Sequence, residues 1–313
     1  MNVEQELIGR ILRQVRKAVV GKDKVLERVL LTILARGHIL LEDIPGMGKT
    51  TMALAFSRAL GLRCQRVQFT PDVMPSDLVG FSVYDREKGT FEYRPGALMC
   101  NLFLADELNR ATSRTQSALL EAMEEGQVTV DGVSRPIGEP FIVIATQNPV
   151  GAAGTQPLPD SQLDRFAIRL SMGYPSRKAE AAMVRERAAG DPLHRVEQAA
   201  DHAALEQLRQ AADGVYVSDD VLDYLLRLVD ATRREPLILQ GASPRATLSL
   251  TSMSRSRALC SGRDYVIPED VQDMFCDVIA HRLVLSPRAE DTRKGREELL
   301  SRLMQGVKPP RLR

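Results

Sequence analysis

Residues 38–60 read HILLEDIPGMGKTTMALAFSRAL, and the order of residue types in this stretch decides the fold. A short apolar run that suits a buried parallel strand comes first, two glycines with a lysine and a threonine follow at once, and helix formers continue from Met52. This order predicts a strand, a turn and a helix. It places a phosphate-binding loop at the N-terminus of that helix, where unpaired N–H groups and the helix dipole attract anions.

Each residue type in the turn suits nucleotide chemistry for its own reason. Gly46 and Gly48 can take positive φ and direct backbone N–H groups at an anion. Lys49 offers a positive charge to the β- and γ-phosphates, and Thr50 offers a hydroxyl ligand to Mg²⁺. The candidate ATP-binding residues of this turn are Pro45, Gly46, Met47, Gly48, Lys49, Thr50 and Thr51.

The turn departs from the usual pattern G-x-x-x-x-G-K-[ST] at one position, because Asp43 stands where the first glycine is expected. Asp43 must therefore lie where the chain leaves the strand without needing positive φ, and Pro45 helps to fix the turn. A glycine-rich turn that carries a surface lysine is the alternative interpretation of this stretch alone.

A second apolar run, NLFLADELNR at residues 101–110, predicts a buried strand that ends in two carboxylates. Asp106 is placed to hold Mg²⁺ through water or together with Thr50, and Glu107 to orient and polarise the attacking water. A capped strand end gives the same pattern by itself. The position of the pair, about fifty-five residues after the phosphate-binding loop, favours the catalytic interpretation.

Two further segments carry candidate nucleotide contacts. The strand-like run FIVIAT (residues 141–146) leads to Asn148, which can hold the attacking water beside the first strand or can simply form a turn before a proline. Val20 and Gly21 lie between the first two predicted helices, and their backbone can line a base-binding cleft or form a plain helix–helix turn. The residues alone leave both pairs of alternatives open.

The composition is that of an ordinary globular protein, with 313 residues of which 44% are hydrophobic and 27% charged. A net charge of +1 and the absence of Trp argue against nucleic acid as a partner. Neither the four cysteines nor the four histidines show metal-ligand spacing. No signal-peptide pattern and no 18-residue apolar run occurs, so the sequence predicts a cytoplasmic protein without membrane insertion.

The order of periodic segments predicts two domains. Residues 1–175 should form an αβα sandwich around a parallel sheet of about five strands with the first strand central, and residues 176–313 a smaller α-helical domain. Two β-hairpins are expected within the first domain, one at residues 81–94 and one around the turn of Asp131 and Gly132. The hairpin at 81–94 interrupts the core pattern and is a candidate for contacts with a client protein.

Seven ordered segments resemble the MoxR family of AAA+ ATPases along nearly the whole chain. They are EDIPGMGKT, FTPDVMPSDLVG, RPGALMCNLFLADELNRA, TQSALLEAMEEGQVTVDG, IATQNP, LDRF and GASPRA. The resemblance implies that Lys49 and Thr50 are Walker A residues. It also implies that Asp106 and Glu107 are Walker B residues and that Asn148 is sensor 1.

The same resemblance gives roles to two arginines. Arg165, in LDRF at the start of the last predicted strand, is similar to the arginine finger that reaches a neighbour's nucleotide, and Arg245, in GASPRA, is similar to the sensor 2 arginine of the lid. The family itself carries EDxPGxGKT, which agrees with Asp43. The hairpin at residues 81–94 resembles the helix-2 insert that the family shares with magnesium-chelatase-type ATPases.

The resemblance implies that the helical domain at residues 176–313 is a lid that closes over ATP. It also implies an ATPase that uses ATP and Mg²⁺ in a homo-oligomer, a hexameric ring, and remodels a protein client in the manner of a chaperone. A separate partner protein with a von Willebrand A domain is implied as well. A nucleic-acid motor and a magnesium-chelatase-like subunit are the alternatives, and the near-neutral charge disfavours the motor. Glu107 and Arg165 together disfavour a nucleotide switch that does not hydrolyse.

Overall fold

The computed structural model of the protein describes residues 3–44, 46–148, 157–188, 190–289 and 292–311. The helices are α1 (Val3–Arg16), α2 (Asp23–Leu34), α3 (Lys49–Ala59), α4 (Pro75–Val79), α5 (Ser113–Glu125), α6 (Asp160–Leu163), α7 (Arg177–Ala188), α8 (His202–Asp213), α9 (Asp219–Arg234), α10 (Pro244–Cys260), α11 (Pro268–Ile279) and α12 (Arg293–Gly306). The strands are β1 (Ile39–Glu42), β2 (Cys64–Gln68), β3 (Gly80–Asp85), β4 (Thr90–Pro95), β5 (Leu102–Asp106), β6 (Gln127–Val130), β7 (Val133–Pro136), β8 (Ile142–Gln147), β9 (Ile168–Leu170), β10 (Ile238–Gln240) and β11 (Val284–Leu285).

Five parallel strands form the main sheet in the order β2-β5-β8-β1-β9. The predicted parallel sheet is therefore confirmed. The sequence predicts β1 at the centre of the sheet, but the central strand is β8. β1 is displaced by one position, because the sheet adds just the three-residue strand β9 beyond it. β5 and β8 are buried along their full length, as expected for parallel strands covered on both faces.

Helices cover the two faces of this sheet, and each strand contributes alternate side chains to both. In β1, Ile39 and Leu41 enter a buried cluster with α1, α2 and α3. Leu40 between them enters a second cluster, which contains residues of α4 and α5. This division of one strand between two cores confirms the predicted αβα sandwich.

Two antiparallel hairpins stand apart from the main sheet, as the sequence predicts. β3 pairs with β4, with Tyr84 opposite Phe91, and β6 pairs with β7. Asp131 and Gly132 have φ of 54° and 73°, the left-handed values that a two-residue type I′ turn requires.

The chain is mainly helical from α7 onward, and α8 to α12 share a buried core with α1 and α2. Arg28 of α2 is 2% exposed and forms ion pairs with Asp273 and Asp277 of α11, at 2.6 and 2.9 Å. The helices α8 to α12 therefore pack directly against α1 and α2 of the first domain. None of the helices in the described ranges is both long enough and apolar enough to cross a bilayer.

Candidate nucleotide-binding site

The turn after β1 has the backbone conformation that a phosphate-binding loop needs. Gly46 and Gly48 both adopt a φ of 87°, which a side chain with a Cβ would strain. Gly48 is the N-cap of α3, so the helix begins at Lys49 with its first N–H groups free for an anion. Pro45 lies outside the described residues.

Lys49 is a buried cation held by carbonyl oxygens. Its side chain is 6% exposed, and Nζ donates to the main-chain oxygen of Asp43 at 2.7 Å. Burial lowers the pKa of the Lys49 ammonium, while the charges of Asp43, Asp106 and Glu107 oppose that shift. In the described part of the chain no carboxylate forms an ion pair with Nζ, so the charge is available to an incoming phosphate.

Two adjoining cavities open beside the loop, and they share Gly46, Gly48 and Thr51. The first, of about 390 Å³, is polar and brings together most of the predicted catalytic and phosphate-binding residues. These are Gly46, Gly48, Lys49, Thr50, Thr51, Asp106, Glu107 and Asn148. They meet because the carboxyl ends of β1, β5 and β8 lie at one edge of a parallel sheet.

The second cavity, of about 290 Å³, has a more apolar lining that includes the predicted residues Val20 and Met47. Gly21 does not belong to the lining. Its φ is 72°, and a Cβ there would come within 2.6 Å of the Ala179 Cβ of α7. Gly21 therefore permits close packing at the cavity's edge, and Val20 is the residue of the pair that faces it.

One threonine that sequence reasoning missed contacts the carboxylate of Asp106 and the main chain of Glu107. Thr146 on β8 donates from Oγ1 to Oδ1 of Asp106 at 2.7 Å, and its Oγ1 accepts the main-chain N–H of Glu107 at 2.8 Å. Thr146 is fully buried. The signal in the sequence is that Thr146 lies two residues before Asn148. The structure adds that its strand, β8, lies beside β5.

An arginine that sequence reasoning also missed forms an ion pair with Asp106. Arg66 on β2 donates to Oδ2 of Asp106 from Nη2 at 2.7 Å and from Nε at 3.2 Å, and its side chain lines the polar cavity. β2 lies beside β5 in the sheet, which brings Arg66 to the carboxylate. Any cation that binds at Oδ2 has to share the oxygen with this guanidinium or displace it.

Glu107 lies in an unusual backbone conformation at the mouth of the cavity. Its φ of 57° is left-handed, which costs a non-glycine residue about 1 kcal/mol or more. Its carboxylate accepts a hydrogen bond from Arg110 Nη1 at 2.9 Å. The strained turn and the bond to Thr146 fix the main chain, and the arginine holds the carboxylate.

The side chain of Asn148 has a buried oxygen that accepts no hydrogen bond from the described residues. Its main-chain N–H donates to Asn109 Oδ1 at 3.3 Å, and its carbonyl accepts from Asn109 Nδ2 at 3.2 Å. Its own Oδ1 is buried and has no hydrogen-bond partner among the residues that the structure describes. A buried acceptor left open inside a cavity indicates a site for a bound hydroxyl or water.

The two predicted arginines lie elsewhere, in a third cavity of about 280 Å³ that shares no lining residue with the other two. Arg165 is not at the start of a strand but in the turn between α6 and β9. Its Nη1 lies 2.8 Å from Glu124 Oε2, and Arg245, next to the N-terminus of α10, pairs with Oε1 of the same carboxylate.

This third cavity lies at the amino edge of the sheet, since His38 and Ala167, which precede β1 and β9, are in its lining. The phosphate-binding loop follows the opposite end of β1, and a four-residue strand spans about 13 Å. Arg245 therefore does not lie over this chain's own phosphate-binding loop, as a lid arginine closing on ATP would. Residues of the helical region that do line the apolar cavity are Glu180 and Met183 of α7 and Pro192.

Comparison with known proteins identifies the family of this chain. The profile of the ATPase family associated with various cellular activities (AAA) matches residues 38–168, and that of the AAA lid domain matches residues 230–303. The chain is 41% identical to the uncharacterised protein YeaC of Bacillus subtilis, over 97% of this chain and 95% of that one, and 38% identical to chaperone MoxR1 of Mycobacterium tuberculosis, over 99% and 84%. The crystal structure of an ATPase candidate from Cytophaga hutchinsonii is similar with a TM-score of 0.90 and 34% identity, covering 98% of this chain and 96% of that one. With relatives that match nearly its full length, the chain belongs to the MoxR family of AAA+ ATPases.

Proposed function

We propose that this protein hydrolyses ATP with Mg²⁺ and couples hydrolysis to the remodelling of a protein client, as a subunit of a homo-oligomeric ring. The observation that carries the proposal is the polar cavity. It joins a buried ammonium (Lys49), two carboxylates (Asp106 and Glu107) and an open buried acceptor (Asn148 Oδ1) at one edge of the sheet.

The residues present fit ATP at both of its ends. The polar cavity offers Lys49 and the N-terminus of α3 to the phosphates. The adjoining apolar cavity, with Val20 and Met47 in its lining, offers a surface of suitable polarity for a base. The shared lining at Gly46, Gly48 and Thr51 keeps the two parts continuous, as a nucleoside triphosphate requires.

The donors also fit Mg²⁺, which prefers oxygen ligands and retains water and phosphate oxygens in such sites. Thr50 and Asp106 are the residues that would hold it, and the described residues contain no cluster of three or more metal-binding side chains that would form an all-protein site. Bound Mg²⁺ supplies positive charge to the phosphate oxygens. A cation at Oδ2 of Asp106 would share that oxygen with the Arg66 guanidinium or displace it.

Glu107 and Asn148 are the proposed contacts of the attacking water. Glu107 would accept a hydrogen bond from the water or take its proton. Asn148 Oδ1 would accept a hydrogen bond from the second O–H group of the water. Arg110 contacts Oε2 of Glu107 at 2.9 Å, so the water would bind at Oε1 or take the place of the arginine. The water then attacks the γ-phosphorus in line with the bridging oxygen that leaves on ADP, and inorganic phosphate forms without a covalent enzyme intermediate.

Arg165 and Arg245 are proposed to serve a neighbouring subunit. Both lie at the amino edge of the sheet, too far from this chain's own loop to touch its γ-phosphate, and arginines at such an edge can stabilise transition-state charge across an interface. A ring in which each amino edge meets the next subunit's carboxyl edge would complete every site. A hexamer is the proposed form of that ring.

The proposed output is chaperone-like work in the cytoplasm, following the chaperone name of the Mycobacterium tuberculosis relative. The β3–β4 hairpin is the proposed client contact, because Phe91 and Tyr84 near its tip are 74% and 52% exposed. A separate von Willebrand A domain protein is the proposed partner.

Two matched variants test the catalytic assignment. Glu107→Gln keeps the side-chain volume and should retain ATP affinity while turnover falls about 10²-fold or more, since a general base is removed. Lys49→Ala should lose ATP affinity itself. Equilibrium binding of ATP and steady-state phosphate release separate the two, and an equal loss of affinity in both variants would contradict the assignment. Wild-type protein that released no phosphate with Mg²⁺ and ATP in any oligomeric state would contradict the proposed function.

A further inference from the structure

The short segment that follows β9 is held from two sides by opposite charges. On one side the Asp43 carboxylate accepts Ser171 Oγ at 2.6 Å, the Met172 N–H at 2.5 Å and the Gly173 N–H at 3.0 Å. On the other side Lys22 Nζ donates to the carbonyl oxygens of residues 172, 173 and 174, at 2.5, 2.8 and 2.9 Å. Six hydrogen bonds therefore fix a segment of four residues.

These are strong bonds, and they use the full capacity of Lys22. Each joins a charged side chain to a main-chain group or a hydroxyl, the kind of hydrogen bond that is shorter and stronger than a neutral one. An ammonium has three N–H donors, and all three of Lys22 are taken. Asp43 is buried, so its carboxylate depends on these donors in place of water.

The held segment forms one wall of the apolar cavity. Met172 and Tyr174 line that cavity, and so does Lys22. A Cβ placed on Gly48 of the phosphate-binding loop would lie 4.0 Å from Met172 Cε, so this wall adjoins the loop. The position of the wall relative to the loop therefore sets the width of the proposed base site.

Asp43 connects this wall to the phosphate-binding lysine. Its side chain holds residues 171–173, and its main-chain oxygen accepts from Lys49 Nζ at 2.7 Å. It also occupies the position where the usual loop pattern has a glycine. A glycine there would keep the main-chain contact and remove every contact to the wall.

We propose that Asp43 and Lys22 are positioning residues for the nucleoside part of the ligand. They hold the wall formed by residues 171–174 against the phosphate-binding loop, so they govern affinity for the base and ribose and not for the triphosphate. This inference rests on the proposed function, since it names what shapes one end of the same ATP site. Restoring the usual loop glycine at position 43 should accordingly weaken ATP binding.

The test compares two ligands of the full-length protein at a fixed Mg²⁺ concentration: ATP, and inorganic tripolyphosphate, which has no base or ribose. The ratio of their association constants measures what the nucleoside contributes. Asp43→Asn should lower ATP affinity about tenfold, because charge-assisted hydrogen bonds to the wall are lost. Tripolyphosphate affinity should not fall, because the variant keeps the main-chain oxygen that Lys49 contacts and removes a negative charge near that lysine. Asp43→Gly should change the ratio in the same direction by at least as much.

A second variant approaches the wall from its other side, and so covers the case in which the Asp43 variants do not fold. Lys22→Met keeps the length of the side chain, removes the three donors, and should lower the ATP to tripolyphosphate ratio in the same way. Lys24→Met is the matched control, because Lys24 is an exposed lysine two residues further on, and its ratio should equal that of wild type. Lys49→Ala should weaken both ligands together.

The outcomes separate this inference from the function on which it rests. Wild-type protein that binds neither ligand overturns both. Wild-type protein that binds ATP no more tightly than tripolyphosphate overturns the inference alone, and so do Asp43 and Lys22 variants that lose both affinities in proportion. Proportional loss with a lowered melting temperature is the signature of residues that only stabilise the fold.

Discussion

At the scale of single residues, Thr146 joins the two predicted Walker B residues through one hydroxyl group. Its hydroxyl bonds to the Asp106 carboxylate and to the main chain of Glu107, at 2.7 and 2.8 Å. Thr146→Val keeps the shape and removes both bonds. We expect turnover to fall about tenfold, since losing a buried hydrogen bond of this kind costs about 1–3 kcal/mol, while ATP affinity changes little because Lys49 is untouched.

The conservative variant Thr146→Ser supplies the control for this prediction. It restores the hydroxyl and should recover most of the turnover, measured as phosphate release at saturating ATP. A valine variant with normal turnover, or a serine variant as slow as valine, would show that the hydroxyl does not position Asp106 and Glu107.

His38, to which the sequence gives no role, makes stability depend on pH. Its Nδ1 accepts the Val143 N–H at 3.1 Å and its Nε2 lies 3.1 Å from the Met123 carbonyl, which fits a neutral ring with a proton on Nε2. Burial lowers its pKa to about 4, whereas the unfolded chain takes up the proton near pH 6.5. The free energy of unfolding should therefore fall between about pH 6.5 and pH 4, by up to about 3 kcal/mol from this residue, with no contribution above that range.

Thermal unfolding at several pH values measures the effect. The loss on acidification should be smaller in His38→Gln, which cannot be protonated, than in wild type. Burial also lowers the pKa of His281, so His281→Gln should reduce the loss independently. Identical pH profiles for wild type and His38→Gln would contradict the assignment.

At the scale of elements, the β3–β4 hairpin is separable from the ATPase sheet. It forms its own two-stranded sheet, and the rings of Tyr84 and Phe91 meet edge to face with centroids 5.2 Å apart near its exposed tip. Replacing residues 85–90 with a short glycine-rich turn should leave basal turnover near normal, because none of these residues lines the nucleotide cavities.

The same replacement made in the Glu107→Gln background tests client contact. In ATP, the loaded Glu107→Gln ring should retain bound proteins through co-purification, and the shortened hairpin should reduce that retention. Lys88→Ala, which changes charge at the tip and keeps both rings, is the control. Collapse of basal turnover in a folded hairpin variant would instead assign the hairpin to the ATPase or to the ring interface.

The elements that the sequence predicts well are those with local signals. A single run of residues predicts β1, the loop and α3. The dipeptide Asp131–Gly132 is enough to predict the turn between β6 and β7. Arg66 and Thr146 escape such reasoning because β2, β5 and β8 are neighbours in the sheet but not in the chain. Glu124 and Arg245 pair although they are 121 positions apart in the chain. Neither periodicity nor motif spacing predicts a contact between residues so far apart in sequence.

At the scale of the whole molecule, the proposed sites are completed between subunits. Arg165→Ala and Glu107→Gln should each abolish most turnover, the first because a transition-state arginine can be worth about 10³-fold or more. When the two variants are mixed, some interfaces combine an intact Glu107 of one subunit with an Arg165 donated by the other. Phosphate release should then recover in part, provided that the subunits exchange.

A mixture of Glu107→Gln with Lys49→Ala is the matched control. Both defects lie at the carboxyl edge of the sheet, so no interface regains an intact site and turnover should stay absent. Fluorescence transfer between labelled subunits establishes exchange independently. If exchange is shown and the Arg165→Ala mixture is still as inactive as its parents at every ratio, a local role for Arg165 in anchoring the turn before β9 is the better explanation.

Opposite edges of one sheet carry the two halves of the proposed site, with Lys49 at one edge and Arg165 at the other. An open row of n subunits then completes n − 1 sites, whereas a closed ring completes n. Turnover per subunit should rise with protein concentration and level off once rings close. ATP binding needs the loop of a single subunit and should not change on dilution. Dilution alone would therefore switch off hydrolysis and leave each subunit loaded, so the cellular abundance of the protein would itself govern its activity.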